Sequence, residues 1–121
     1  TLVVRHRSGA SAHLSLELCV ILTDLAVVKG EVVTKEVLYE GICERGNYPP
    51  EPKIVDVQIC KLRRVLDSLS PKGGNHIITA WGEGYRLSDD PQTRKYALRC
   101  VRGARDKGLL KRLTEVYLAA P

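Results

Sequence analysis

The sequence predicts a mainly helical α+β domain in which three short helices precede a β-hairpin and a helical tail. Three observations support this class. Apolar residues recur every three or four positions in several segments, as on one face of a helix. Short extended segments with glycine-containing turns lie near both ends of residues 1–87. Of the 121 residues, 44% are hydrophobic, which is ordinary for a soluble fold, and no apolar run approaches the roughly 18 residues that span a membrane.

The length fits one domain with appendages. We divide the chain into an N-terminal hairpin remnant (residues 1–14), a central unit (15–87) and a C-terminal helical extension (88–121). Within the first part, Leu2–His6 and Ala12–Leu14 are the expected strands. Because the chain begins with Thr rather than Met, we expect that further sequence precedes it.

Two helices are predicted at the start of the central unit. Ser15 can accept a hydrogen bond from the first turn of one helix, which ends at Lys29-Gly30. Thr34 can cap the second in the same way, behind a short extended segment at Val32-Val33. The apolar stripe of this second helix consists of Val37, Leu38 and Ile42. A polar loop, residues 44–51, follows it.

The third predicted helix, Pro52 to about Leu69, has two contrasting faces. The apolar face is made of Val55, Ile59, Leu62 and Leu66. At about 100° per residue, the opposite face carries Lys53, Val57, Cys60, Lys61 and Arg64. A solvent-facing side that is basic and nearly free of acids is unusual for a merely solvated helix. It is typical of a surface that meets a polyanion.

A β-hairpin is predicted next, with strands at His76–Ala80 and Tyr85–Leu87. Its turn contains Gly82 and Gly84, which permit the backbone angles of a tight turn. Two helices, a basic helix and a glycine-tipped hairpin follow one another as in a winged helix-turn-helix. Such a helix fits the major groove of duplex DNA, and the hairpin reaches the adjacent backbone. The sequence therefore predicts sequence-specific binding of double-stranded DNA and regulation of transcription in the cytoplasm, at the nucleoid.

Charge and cysteine usage agree with that function. The net charge is +5, and residues 53–121 carry the excess, whereas residues 1–52 have five basic and seven acidic side chains. The four cysteines, Cys19, Cys43, Cys60 and Cys100, form no C-x-x-C pair, so we expect reduced thiols and no metal site. No catalytic arrangement or phosphate-binding loop is recognisable. We expect no cofactor and no enzyme activity.

The central unit also resembles a known family. Residues 32–38, 54–66 and 77–87, the last containing Trp81-Gly82-Glu83-Gly84-Tyr85, are similar to the OmpR/PhoB-type winged-helix effector domain of response regulators. The resemblance is closest to the CtrA-like cell-cycle regulator subgroup, here without a receiver domain. The matching stretches occur in the order and spacing of the family. Glu83 is a departure, because close relatives often carry a base at the tip of the wing.

The resemblance implies a set of DNA contacts. The third helix is the recognition helix, Arg63 matches a position that contacts the DNA backbone, and Arg64 suits a phosphate or guanine. The other positions implied at the DNA are Lys53, Val57, Gln58 and Lys61 on this helix and Thr79, Trp81 and Arg86 in the wing. Gln58 could pair with adenine and Val57 could meet a thymine methyl group. The resemblance further implies direct-repeat operators and contact of loop 44–51 with RNA polymerase.

Several alternatives remain open at this stage. The apolar stripe of the tail could fold back onto the domain, or it could bind a partner or a second protomer through Leu109, Leu113, Val116 and Tyr117. Basic residues of the tail could instead hold DNA, namely Arg94, Lys95, Arg99 and Arg102. Trp81 could be only a packing anchor, and Cys60 a neutral spacer or a redox switch. The rival function is a winged-helix interaction module that binds RNA polymerase or another regulator without an operator of its own.

Overall fold

The computed structural model describes residues 2–28, 30–43 and 53–106. The elements are β1 (Leu2–Arg5), β2 (Ser11–Leu14), α1 (Leu16–Val27), β3 (Val33–Thr34), α2 (Lys35–Cys43), α3 (Lys53–Leu69), β4 (Ile77–Ala80), β5 (Gly84–Leu87) and α4 (Pro91–Asp106). A short 3-10 turn, Gly73–His76, leads into β4. The predicted α+β class is confirmed: the described residues form four α-helices and two small antiparallel sheets.

Both predicted helix caps are present. The backbone N–H of Leu18 donates to Ser15 Oγ at 3.3 Å, and that of Val37 donates to Thr34 Oγ1 at 3.3 Å. Each bond satisfies one of the N–H groups that the first turn of a helix leaves without a partner. The sequence therefore located the starts of α1 and α2.

The described strands form two antiparallel sheets. One consists of β1 and β2, with Val4 opposite Ala12. The other has the order β3-β5-β4 and joins the predicted wing hairpin to the segment just before α2. Gly84 lies between Thr34 on one side and Ala80 on the other. A Cβ atom at Gly84 would collide with the Val33 carbonyl oxygen, so the central strand needs glycine at this crossing.

The hydrophobic core forms where α1, α2 and α3 meet. The largest fully buried side chains include Ile21, Leu22, Leu25, Leu38, Ile42, Val55, Ile59, Leu62 and Leu66. The apolar stripe predicted for the third helix is confirmed in full. The stripe predicted for the second was wrong at Val37, which is 46% exposed, because α2 turns Leu38, Gly41 and Ile42 inward instead.

The tail begins with α4, which folds back onto the domain. Asp90 caps it by accepting hydrogen bonds from the Thr93 N–H at 2.9 Å and the Thr93 hydroxyl at 2.7 Å. The helix packs against α1 and β1 through buried Tyr96, Ala97 and Cys100. It continues past Gly103, although glycine disfavours the interior of a helix. A glycine costs a helix only about 1 kcal/mol relative to alanine, which did not end it here.

Candidate nucleic-acid interface

The outer face of α3 is exposed as the helical spacing predicted. Lys53, Cys60, Lys61 and Arg64 are all exposed, and the Val57 side chain is 51% exposed. In the described part of the chain, the ion pairs involve none of Lys53, Lys61 and Arg64. Their charges are therefore not neutralised within that part, and they surround a small apolar surface at Val57.

Gln58 is placed differently from what the resemblance implied. Its side chain is only 8% exposed. At 100° per residue, Gln58 lies about 40° around the helix axis from the buried Leu62, so it belongs to the edge of the core rather than to the basic face. The expectation that this amide faces outward is corrected, because packing of α3 against the domain covers it.

Arg63 is engaged inside the protein. Its Nη2 donates to the Ile77 carbonyl oxygen at 2.8 Å and to Thr79 Oγ1 at 2.8 Å, and its Nε donates to the same carbonyl oxygen at 3.2 Å. The guanidinium also lies 5.7 Å from the centre of the Tyr85 ring, within the range of a cation–π contact. Sequence reasoning assigned Arg63 to the DNA backbone. This correction has a physical reason: the guanidinium fixes β4, and hence the wing, to α3.

A second contact between helix and wing runs through Tyr85 and Asp56. The Tyr85 hydroxyl donates to Asp56 Oδ1 at 2.6 Å, and Lys35 Nζ lies 3.2 Å from the same oxygen. The Tyr85 hydrogen bond, followed by Lys35, lowers the pKa of Asp56 below its usual value. Burial and the bond to Asp56 raise the pKa of Tyr85 to about 12. This Lys35–Asp56–Tyr85 chain joins α2, α3 and β5.

Replacing Tyr85 with Phe should weaken this junction. We expect the Tyr85→Phe variant to unfold with about 1 kcal/mol less free energy at neutral pH, since it loses one hydrogen bond to a carboxylate that is partly exposed. Because the pKa of Asp56 is lowered in the folded state, its stabilising contribution exists above the ordinary Asp pKa and disappears as the solution is acidified. The variant should therefore lose less stability than the native chain as the pH falls from neutral through the ordinary Asp pKa of 3.8. Urea denaturation at several pH values measures this difference, and equal pH profiles would contradict it.

The wing ends in an unusual tip. The Glu83 N–H donates to the Ala80 carbonyl oxygen at 2.9 Å, which closes a tight turn with Gly82 at a φ of +76°. Trp81 occupies the turn and is 89% exposed, so the packing-anchor interpretation was wrong. Glu83 beside it is also exposed. The tip thus presents a large apolar ring and one negative charge.

The remaining predicted site residues are distributed as follows. Thr79 and Arg86 are partly exposed on β4 and β5, and the Thr79 hydroxyl already accepts from Arg63. Loop 44–51 and the tail residues Leu109, Leu113, Val116 and Tyr117 lie outside the described residues. Sequence reasoning missed the role of Tyr85 and the link to Lys35. The available signal was the acidic Asp56 in the first turn of a helix whose outer face is basic.

Among the residues that the structure describes, no group of three or more His, Cys, Asp or Glu side chains is arranged to hold a metal ion. No helix there combines the length and apolar character needed to cross a membrane.

Known proteins are similar to this chain in sequence. Residues 9–87 match the family model described as "Transcriptional regulatory protein, C terminal". The cell cycle transcriptional regulator CtrA of Caulobacter vibrioides (strain NA1000 / CB15N) is 43% identical over 86 residues, covering 68% of this chain and 35% of the relative. The cell cycle response regulator CtrA of Brucella anthropi is 41% identical over 95 residues, covering 74% and 38%. The chain thus spans little more than a third of the length of these relatives.

Proposed function

The chain belongs to the family of C-terminal domains of transcriptional regulatory proteins, and on that premise we propose that it binds double-stranded DNA sequence-specifically and regulates transcription. This is a family of transcription regulators and not of enzymes, and the proposal includes no catalytic activity. The relatives named CtrA are regulators of the cell cycle, which supports the same role here, on chromosomal DNA in the cytoplasm.

One observation carries the proposal: α3 presents three cations without ion pairs among the described residues, next to a wing that is fixed to the same helix. In a complex, α3 would enter the major groove. Lys53 and Lys61 would contact phosphates. The attraction between lysine and phosphate is electrostatic and does not depend on the base sequence. Arg64 would contact a phosphate or pair with guanine, and Val57 would cover a thymine methyl group. Gln58 would contribute only if its side chain turned outward on binding.

The wing would contact the adjacent backbone. Arg86 supplies a positive charge there, and the exposed ring of Trp81 can lie against deoxyribose, which offers apolar surface without a negative charge. Thr79 can donate its hydroxyl hydrogen to a phosphate while it accepts from Arg63. The negative charge of Glu83 opposes close approach of phosphate. We therefore assign the tip an apolar rather than an electrostatic contact.

The partners other than DNA rest on the resemblance for RNA polymerase and tandem sites, and on the apolar stripe of the tail for a homodimer. Loop 44–51 would address RNA polymerase. Tail residues Leu109, Leu113, Val116 and Tyr117 would support a homodimer, and tandem direct repeats would place two protomers side by side. The interaction-module alternative gains no support from the match to transcriptional regulators, and the basic face of α3 speaks against it.

Selection from a random-sequence duplex pool tests the proposal directly. The bound fraction would be sequenced at two salt concentrations, and binding followed by fluorescence anisotropy. We expect an enriched motif and an affinity that falls steeply with salt. Lys61→Gln should weaken binding to all sequences and reduce the slope of log affinity against log salt by about 1. Val57→Ala should mainly relax the preference at one base.

Arg94→Gln is the matched control, because it removes one exposed cation from α4 rather than from α3. It should leave both motif and salt slope unchanged. Salt-sensitive binding without any enriched motif, or equal losses in the Lys61 and Arg94 variants, would contradict the proposed interface. Failure to bind any duplex at low salt would favour the interaction-module function.

A further inference from the structure

An open cleft of about 450 Å³ lies between β1 and α4, and none of the described residues that line it belongs to α3. One wall consists of Gln92, Lys95, Tyr96 and Arg99, and the other of Val3, Val4 and Arg5. The helical residues are three or four positions apart and so share one face of α4. Small-molecule sites usually measure about 300–1,000 Å³. The cleft therefore has the size of a ligand site, and the proposed DNA interface uses none of its residues.

Positive side chains line the cleft. They are Arg5, Lys95 and Arg99, and among the described residues no acidic side chain lines it. Among the described residues these three cations form no ion pair, whereas Arg94 on the same helix lies 2.6 Å from Asp89. Lys95 and Arg99 are one helical turn apart and repel each other. Cations grouped around a concave surface focus a positive potential into it, and an anion placed there would relieve their repulsion.

The strand wall adds backbone donors. The His6 N–H donates to the Ala10 carbonyl oxygen at 2.8 Å, and hydrogen-bonded pairs alternate along an antiparallel ladder. In the observed register, Val4 and Ala12 are therefore a bonded pair, and the N–H groups of Val3 and Arg5 point away from β2. In the described part of the chain no strand other than β2 pairs with β1. The outer edge of β1 thus presents the N–H groups of Val3 and Arg5 together with their carbonyl oxygens, and the N–H groups suit an oxyanion.

An apolar surface lies beside these donors. The Val3 side chain is 38% exposed, whereas Tyr96 on the opposite wall is only 4% exposed. A ligand with a flat apolar group next to a multiply charged anion would match both parts. We propose that the cleft between β1 and α4 binds a small phosphate-bearing ligand of the nucleotide class. Its phosphates contact Arg5, Lys95 and Arg99, its base covers Val3, and it bridges the N-terminal hairpin and the tail helix.

Calorimetric titration of the full 121-residue chain tests this site. ATP is the main probe, with inorganic pyrophosphate and adenosine as its separate parts, all at constant ionic strength. We expect saturable one-to-one binding of ATP and weaker binding of pyrophosphate. The Arg5→Gln/Arg99→Gln variant should bind ATP about tenfold or more weakly, since it loses two charge-assisted contacts. The Arg94→Gln control should bind like the native chain, and circular dichroism would show that both variants are folded.

Four results would overturn the proposal. The native chain could fail to bind ATP, or the two variants could lose affinity equally. Pyrophosphate could bind as tightly as ATP, which would exclude recognition of the nucleoside. Finally, the cleft variant could reduce DNA affinity and salt slope as much as Lys61→Gln does, which would make the phosphates those of DNA. The DNA selection with the Lys61 variant is a separate measurement, so the two proposals can fail independently.

Discussion

The Arg63→Ala variant is expected to unfold with about 2–3 kcal/mol less free energy and to bind DNA at least about tenfold more weakly. The side chain makes hydrogen bonds to Ile77 and Thr79 and faces the Tyr85 ring. Hydrogen bonds that involve a charged group contribute about 1.5–3 kcal/mol, and a cation–π contact adds roughly 0.5–1 kcal/mol. Without them, in the described part of the chain, the wing is held to α3 through Tyr85 and Asp56 alone, so the relative position of the two DNA-contacting elements is less firmly fixed.

Arg64→Ala provides the matched control, because it removes the same side chain one position further along the helix. Arg64 is exposed, so stability should stay within about 0.5 kcal/mol of the native value. DNA affinity should nevertheless fall, with the salt slope reduced by about 1. Urea denaturation and anisotropy titrations on both variants separate the two roles. A stable Arg63→Ala protein with a reduced salt slope would show that Arg63 contacts phosphate after all.

The Gly84→Ala variant is expected to lose about 3 kcal/mol of unfolding free energy or more. Its new methyl group would meet the Val33 carbonyl oxygen and lie 2.9 Å from the Thr34 Cα. Both are backbone atoms, so a change of rotamer cannot relieve the overlap, and β3 must separate from β5. Overpacking by a single carbon typically costs about 1–3 kcal/mol. Because the contact is with fixed backbone, we expect the cost at Gly84 to lie at the upper end of this range or above it.

Gly82→Ala tests whether the effect is steric. A Cβ atom there has no neighbour within 4 Å, but the φ of Gly82 is +76°. Only the left-handed conformation is then penalised, at about 1–2 kcal/mol for a non-glycine residue. Comparable losses in the two variants would argue that backbone conformation, and not the approach of β3, decides the requirement for glycine at position 84.

Much of the fold could be predicted because it is encoded in local patterns. The stripe on α3 needs only the helical period, and the caps at Ser15 and Thr34 need only a hydroxyl before a helix. Basic residues on the outer face of α3 were found by the same spacing. Gln58 was assigned to the DNA-facing side because it matches a family position there. Its angle around the helix axis is close to that of the buried Leu62 and would have placed it at the edge of the core.

Other errors concern contacts between distant segments. Arg63 and Ile77 are fourteen positions apart. The local sequence does not distinguish an arginine that donates to a carbonyl oxygen of the protein from one that contacts a DNA phosphate. The course of α4 past Gly103 could not be read from helix propensity, which is easily outweighed by tertiary packing. The basic cleft combines a strand at one end of the chain with a helix some ninety residues later. Its existence depends on how α4 crosses the domain.

The pairing of β3 with β5 has one more consequence. Thr34 belongs to β3 and also caps α2, so the wing and the helical unit share a residue and cannot swing separately. The wing is also held to α3, by Arg63 and by the Lys35–Asp56–Tyr85 chain. In a protein built in this way, α3 and the wing contact DNA at a fixed distance from each other. Duplexes whose groove width or twist departs from that spacing must deform to fit, so DNA shape would add to sequence in the choice of operator.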